Sequence, residues 1–199
     1  MASSSPGRVI IISGPSGSGK TTLLKQLLAR CNRLVPSVSA TTRVPRQGEV
    51  NDLDYHFLTK QEFDRRREQG DFLEYAEVFG SGDWYGTLKD EVAPRLVAGK
   101  WVVLEIDMQG TQAVLRLYPD AVTIFVRPET QDAETLEELE RRLRSRGTES
   151  ESSIQRRLNS ARQELAGASM YRFQVTNQNV DQAVDQILNI LGSPEDRNA

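Results

Sequence analysis

Two residue types are almost missing from this chain. Among 199 residues there is one cysteine and one histidine. A lone Cys31 excludes an internal disulfide and any zinc pattern, which needs several thiols or imidazoles at set spacings. Its position on the apolar side of the first expected helix makes it a small buried hydrophobe. His56 falls in an extended stretch and reads as a packed strand residue. No apolar run approaches the roughly 20 residues of a membrane span. The opening Met1-Ala2-Ser3-Ser4-Ser5 has neither the basic nor the apolar region of a secretory signal, so a cytoplasmic location is expected. Neither sign of charge dominates: 25 Lys and Arg stand against 28 Asp and Glu, a net charge of −3. That excludes general nucleic-acid binding. A polyphosphate ligand would need arginines concentrated locally.

What is present begins at residues 8–22, RVIIISGPSGSGKTT. The β-branched run 9–12 predicts a strand buried on both faces. Gly14-Pro15-Ser16-Gly17-Ser18-Gly19-Lys20-Thr21 fits G-x-x-x-x-G-K-[ST], and Leu23, Leu24, Leu27 and Leu28 open a helix that should end near Arg30. Strand, loop and helix in that order make a phosphate-binding loop. Its backbone N–H groups can converge on an anion at the helix's positive end. Lys20 can reach the terminal phosphates, and the Thr21 hydroxyl can face Mg²⁺. Thr22 completes the motif.

Residues 101–107 and 121–126 are further buried strands, with 172–176 a last one. Helices are expected at 88–98, 112–117, 135–146, 152–166 and 180–191. Apolar strands alternating with helices predict an α/β fold with a doubly wound parallel sheet, of the P-loop NTPase type. Two stretches break the alternation. Residues 37–87 follow on from a strand reading that starts at 35 and runs to 41, and contain another at 55–58, a capped helix from Thr59 with Glu62 three residues on, a strand at 72–79 and a loop at 80–86. Residues 130–167 are helical and dense in charge. One domain is therefore expected: a disordered leader at 1–7, a core at 8–36, 88–129 and 168–191, an inserted mixed α/β lobe at 37–87, a helical lid at 130–167, and a polar tail at 192–199.

With those residues in hand the chain resembles the guanylate kinases. Beside the phosphate loop it carries Ser39-Ala40-Thr41-Thr42-Arg43-Val44-Pro45-Arg46, Asp54-Tyr55-His56-Phe57, Phe72-Leu73-Glu74, Tyr85-Gly86-Thr87, Ile106-Asp107-Met108-Gln109-Gly110 and Arg146-Gly147-Thr148-Glu149 in the family's order. The resemblance covers nearly all of residues 8–191. It implies phosphorylation of GMP, and of dGMP more weakly, by Mg-ATP. It also implies that the inserted lobe binds GMP and that the enzyme is a monomer or homodimer.

The same resemblance distributes the residues. Arg43, Arg46, Tyr55 and Tyr85 fall on the GMP phosphate, a use suited to planar guanidinium forks. Glu74 falls on guanine, where a two-oxygen acceptor matches the adjacent N1–H and 2-amino donors that adenine lacks. Ser39, Gly86 and Thr87 meet the base's other edge, and Asp107 assists from the core, with a second use toward Mg²⁺ through water. Arg142, Arg146 and Arg157 come from the lid to neutralise the moving phosphoryl group. Arg141 and Arg144 belong to ordinary i,i+4 surface pairs. Asn177 falls on the adenine side, and Gln178 replaces an acid usual there. Two further departures matter. Glu105 stands where an aspartate is usual, so Asp107 is the assigned carboxylate at this strand end and Glu105 an alternative to it. The loop before Tyr85 is two residues longer than usual, predicting an outward bulge at 80–82 and a Trp84 that does not touch phosphate. Two other readings fit parts of the chain: a phosphopeptide-binding module built on the same fold, and a P-loop kinase of another small phosphorylated substrate such as a ribose phosphate.

Overall fold

The computed structural model describes residues 6–77, 82–128, 132–146 and 150–192. Residues 1–5 of the leader, most of the expected bulge and residues 193–199 of the polar tail lie outside them. Seven α-helices, one 3-10 turn (Ala168–Met170) and nine strands are found among these residues: β1 (Arg8–Ser13), α1 (Lys20–Arg30), β2 (Leu34–Pro36), β3 (Ala40–Thr41), β4 (His56–Phe57), α2 (Lys60–Glu68), β5 (Phe72–Glu77), β6 (Trp84–Leu88), α3 (Lys89–Val97), β7 (Trp101–Glu105), α4 (Met108–Leu117), β8 (Val122–Pro128), α5 (Asp132–Arg146), α6 (Glu151–Ala166), β9 (Phe173–Asn177) and α7 (Val180–Gly192).

Five strands form one sheet in the order β2-β7-β1-β8-β9, with β2–β7 and β8–β9 paired parallel. Their apolar runs are buried, from Val9 to Ile12, Val102 to Leu104 and Val122 to Val126, as expected of strands covered on both faces. A second sheet, β4-β3-β6-β5, mixes parallel and antiparallel pairs and lies wholly within residues 40–88. The expected α/β fold with a parallel sheet and an inserted mixed element is what the chain adopts.

The chain clusters into two compact units. One holds residues 1–10, 33–104 and 109–121, and so the whole second sheet; the other holds 11–32, 105–108 and 122–199, and so the phosphate-loop motif from Gly14 and the helices α5 and α6. In the first, Ala40, Phe63, Phe72 and Leu88 form a core with Leu58 and Trp84 against it. In the second, the α5–α6 pair closes on Leu139, Leu143, Ile154, Leu158 and Ala161.

Two local expectations need correction. Residues 35–41 are not one strand: β2 pairs with β7, whereas β3 pairs with β4 and β6 in the other sheet. Three intervening residues let the chain change sheets, which periodicity over so short a run does not reveal. The stretch 80–86 is not loop throughout, since β6 begins at Trp84 and pairs antiparallel with β5. The Gly-Ser-Gly run dominates that window's composition, but cross-strand pairing and a buried Trp84 face decide its end. Thr59 does cap α2, its hydroxyl accepting from Glu62 N–H at 3.1 Å. The Glu62 carboxylate pairs with Arg65 and Arg66.

Candidate active site

The phosphate loop runs from the buried end of β1 into α1. Gly19 precedes the helix at φ +87°, the left-handed region that suits glycine, and a Cβ there would run into the Asn177 amide. Asn177, the last residue of β9, donates to Ser18 O at 2.8 Å. Its Oδ1 and Ser18 Oγ are buried without a hydrogen-bond partner. Such orphaned acceptors and hydroxyls mark a place built for a polar ligand. Lys20 Nζ donates to Gly14 O at 2.6 Å and Pro15 O at 3.1 Å. Burial pulls the Lys20 ammonium below its usual range, against the opposing pull of Glu105 and Glu164.

A cavity of about 580 Å³ opens beside this loop, lined by Ser16, Gly17, Ser18, Thr135, Arg141 and Asn177 among others. Arg141 was expected at the surface; it pairs with Glu138 and also lines this cavity. Arg144 is a surface residue as expected, paired with Glu140 at 2.8 Å and Glu151 at 2.6 Å. Arg157 on α6 reaches Ser16 Oγ in the phosphate loop at 3.3 Å. The side chains of Arg142 and Arg146 lie outside the described residues.

A second cleft, of about 300 Å³, is lined by Ser16, Gly17, Gly19, Lys20, Thr21, Thr22 and Glu105. Ser13 Oγ, bonded to Ile106 O, ties this end of β1 to the segment carrying Glu105 and Asp107. Glu105 and Asp107 are both exposed, but it is Glu105 that lines the cleft with Thr21. No group of three or more acidic, His or Cys side chains able to hold a metal occurs among the described residues. A hydroxyl and one carboxylate fit Mg²⁺ of the kind that keeps several waters and shares itself with substrate phosphates. Sequence reasoning missed Glu164 entirely. Burial pushes its carboxyl up to about 7, with Lys20 pulling it down, Asp107 pushing it up and a Ser160 hydroxyl contact pulling it down. A glutamate inside Arg-Gln-Glu-Leu on a charged helix carries no sequence signal of burial.

In the other unit, the antiparallel β5–β6 register sets Glu74 directly opposite Thr87, and the Thr87 hydroxyl donates to Glu74 Oε1 at 2.7 Å. Two residues thirteen apart thus share one polar point on the sheet. Gly86, in the same pair of strands, has no room for a side chain: a Cβ would lie 2.7 Å from Glu74 O and 2.8 Å from Phe72 Cδ1. Arg43 follows β3. Its Nε donates to Tyr85 Oη at 3.0 Å, Nη1 to Val44 O at 2.7 Å, and Nη2 to Glu49 Oε1 at 2.9 Å. Those partners hold the guanidinium firmly protonated, Glu49 foremost, and Arg43 with the Arg46 N–H holds the Glu49 carboxyl below its usual range. The Tyr55 ring lies 5.9 Å from Tyr85 and 5.4 Å from the Arg43 guanidinium. Ser39 is half-buried, its carbonyl accepting from His56 N–H at 2.9 Å, and the Arg46 side chain is exposed. Trp84 packs in the core of this unit under Lys60 and Arg67. Gly82 sits at φ +82° with open space around it, while residues 80 and 81 lie outside the described set.

A phosphate loop on a parallel sheet, a lysine at its head and a separate carboxylate–hydroxyl pair define a P-loop nucleotide-binding enzyme. The guanylate kinase family model matches residues 6–193. A guanylate kinase of Rhodopirellula baltica is 56% identical over 188 residues, spanning 94% of this chain and 88% of that protein. One from Rubrobacter xylanophilus is 47% identical over 93% of each. The crystal structure of the Anaplasma phagocytophilum guanylate kinase superposes with a TM-score of 0.72 at 30% identity, covering 94% of this chain and 85% of that one. This chain belongs to the guanylate kinase family. It is an ATP-dependent kinase that phosphorylates GMP.

Proposed function

We propose that the transfer is carried by the following division of labour. The loop from Gly14 to Thr22 cradles the ATP phosphates, with Lys20 leaving its carbonyl contacts for phosphate oxygens. Asn177 and the cavity beside Ser18 take the adenine side. Glu74, with Ser39 and Thr87, reads guanine; Arg43, Arg46, Tyr55 and Tyr85 hold the GMP phosphate. Arg142, Arg146 and Arg157 belong to a lid at 130–167 that closes on the nucleotides, and residues 37–87 are the GMP-binding lobe. Asp107 serves beside them from the core. When bound, Mg²⁺ would be held by Thr21 with Glu105 or, through water, Asp107, and would neutralise charge on the triphosphate oxygens.

In the reaction a GMP phosphate oxygen attacks the ATP γ-phosphorus while the bond to the β-phosphate oxygen breaks, giving GDP and ADP. A phosphate monoester has lost its second proton by neutral pH, its second pKa being about 6. The chain's residues therefore orient and neutralise, and no general base is required. The observation that carries this reading is the Glu74–Thr87 pair: an acceptor carboxylate set by strand register beside a hydroxyl fits guanine's donor edge. A sugar phosphate has no such edge to be read. The chain is further proposed to accept dGMP, to act in the cytoplasm, and to be a monomer or homodimer; no described helix is long and apolar enough to cross a membrane.

An ADP-release assay over GMP, dGMP, AMP, CMP and UMP, with and without chelator, tests it. Turnover is expected with GMP, less with dGMP, near background with the rest, and none in chelator. Equal turnover of AMP would remove Glu74 from base recognition, and full activity in chelator would remove the metal.

A further inference from the structure

His56 has no task in phosphoryl transfer, yet the fold builds a charged knot around it. β4 carries it next to Tyr55, and its half-buried ring lies between two carboxylates from different elements. Nδ1 is 2.7 Å from Asp52 Oδ1, and Nε2 is 3.0 Å from Glu91 Oε1. The first is a hydrogen bond; the second is an ion-pair distance without hydrogen-bond alignment, and Nε2 is otherwise buried. Glu91, on α3, is itself fixed by Arg95 and by the Val38 N–H at 3.2 Å. Although burial pushes the Glu91 carboxyl up, Arg95, Val38 and His56 together hold it below its usual range. Arg66 of α2 and Asp90 of α3 line the same cavity of about 240 Å³.

Asp52 is the non-glycine residue with positive φ among the described residues, at +63°. A residue with a Cβ holds that conformation only when its surroundings fasten it. Its N–H donates to Tyr55 O at 2.9 Å, and Asn51 Oδ1 accepts from Phe57 N–H at 2.9 Å. The turn at 51–55 is thus folded back on its own strand, and Tyr55 is where it ends.

We propose that His56, clamped between Asp52 and Glu91, is a positioning residue for the GMP phosphate site, latching the Asp52 turn and so the placement of Tyr55 beside Arg43. The proposal rests on the reading that Arg43, Tyr55 and Tyr85 hold that phosphate. Each ring nitrogen faces one carboxylate, Nδ1 toward Asp52 and Nε2 toward Glu91. Plain packing would require neither acid. Glu91 extends the latch: through Val38 N–H it also holds the residue before Ser39, so the base side and the phosphate side hang on one carboxylate.

The test is steady-state kinetics with each substrate varied, on variants whose folding is checked by thermal melting. His56→Phe keeps a flat ring and removes both nitrogens; His56→Gln restores polar contact. The KM for GMP should rise on the order of tenfold in His56→Phe, the scale of an unmade buried polar contact, and His56→Gln should recover part of that. The KM for ATP and kcat at saturating GMP should stay within about twofold. Glu91→Gln should raise the KM for GMP in the same way. A folded His56→Phe with an unchanged KM for GMP, or one in which both KM values and kcat move together, overturns the latch. If His56→Phe does not fold, His56→Gln is judged by the same criteria. Arg43→Ala separates the two failures. If it loses GMP binding while the His56 variants do not, the phosphate site stands and the latch is wrong. If it leaves the KM for GMP unchanged, the phosphate assignment falls and the latch falls with it.

Discussion

The two compact units prepare for their ligands in different ways. The phosphate-loop unit offers main chain: loop carbonyls that hold Lys20, N–H groups at the start of α1, and a few orphaned polar atoms around Ser18 and Asn177. The other unit offers side chains already joined to one another, Arg43 with Tyr85 and Glu49, and Thr87 with Glu74. In the proposed division of labour, backbone would recognise what all nucleotides share, a phosphate chain, and side chains what distinguishes one nucleotide from another. The contrast predicts that damage in the first unit abolishes chemistry, and damage in the second redirects or weakens the choice of acceptor.

The largest effect should come from Lys20→Ala, which removes the one charge of the loop proposed to hold the phosphates. Turnover should fall by at least ~10³ while GMP binding, measured by titration calorimetry, stays near normal. Near-normal turnover would break the contrast at its strongest point. Glu74→Gln comes next. It places an amide donor against a guanine donor, and a lost buried hydrogen bond of ~1–3 kcal/mol lowers kcat/KM for GMP about ten- to a hundredfold. The KM for ATP should barely move.

How much of this the sequence discloses follows from the same contrast. The phosphate loop is contiguous, eight residues with a lysine and a threonine at fixed offsets, and its strand and helix flank it in order. It reads directly. The proposed acceptor side is spread from Ser39 to Thr87, and Glu74 meets Thr87 only through the β5–β6 register; residue chemistry alone leaves Glu74 an ordinary strand glutamate. Its reading depended on resemblance to a family. The end of the 80–86 window was misread because glycine composition outweighed pairing that only the fold supplies. The choice between Glu105 and Asp107 stayed open, and Glu164 was out of reach, for a related reason. Which of two carboxylates at a strand end lines the Thr21 cleft, and which helix glutamate is half-buried near Lys20, are decided by tertiary placement.

Those two carboxylates give the smaller tests. Glu105→Gln should raise the Mg²⁺ concentration for half-maximal activity on the order of tenfold, as expected for losing one charged ligand contact, and more than Asp107→Asn does. The reverse order would return the metal assignment to Asp107. The smallest effect concerns stability. The Glu164 carboxyl is pushed up to about 7 in the folded protein, above the ordinary ~4.3 of an unfolded chain. The folded state therefore binds the proton more tightly, and that stabilisation is present in acid and lost as pH rises through 7. In the ligand-free protein, the melting-temperature difference between wild type and Glu164→Gln should move by a few degrees between pH 5 and 8, wild type losing ground as pH rises. A difference that is flat with pH would mean Glu164 titrates as it would in water.

The two carbonyls that hold Lys20 bear on the far end of the catalytic cycle. When ADP departs, a half-buried ammonium would be left without its counter-ions, and stranding it would hold the product back. Gly14 O and Pro15 O, at 2.6 and 3.1 Å, give it a berth inside the loop itself. If Lys20 holds the phosphates as proposed, nucleotide exchange would be a swap of one set of oxygens for another.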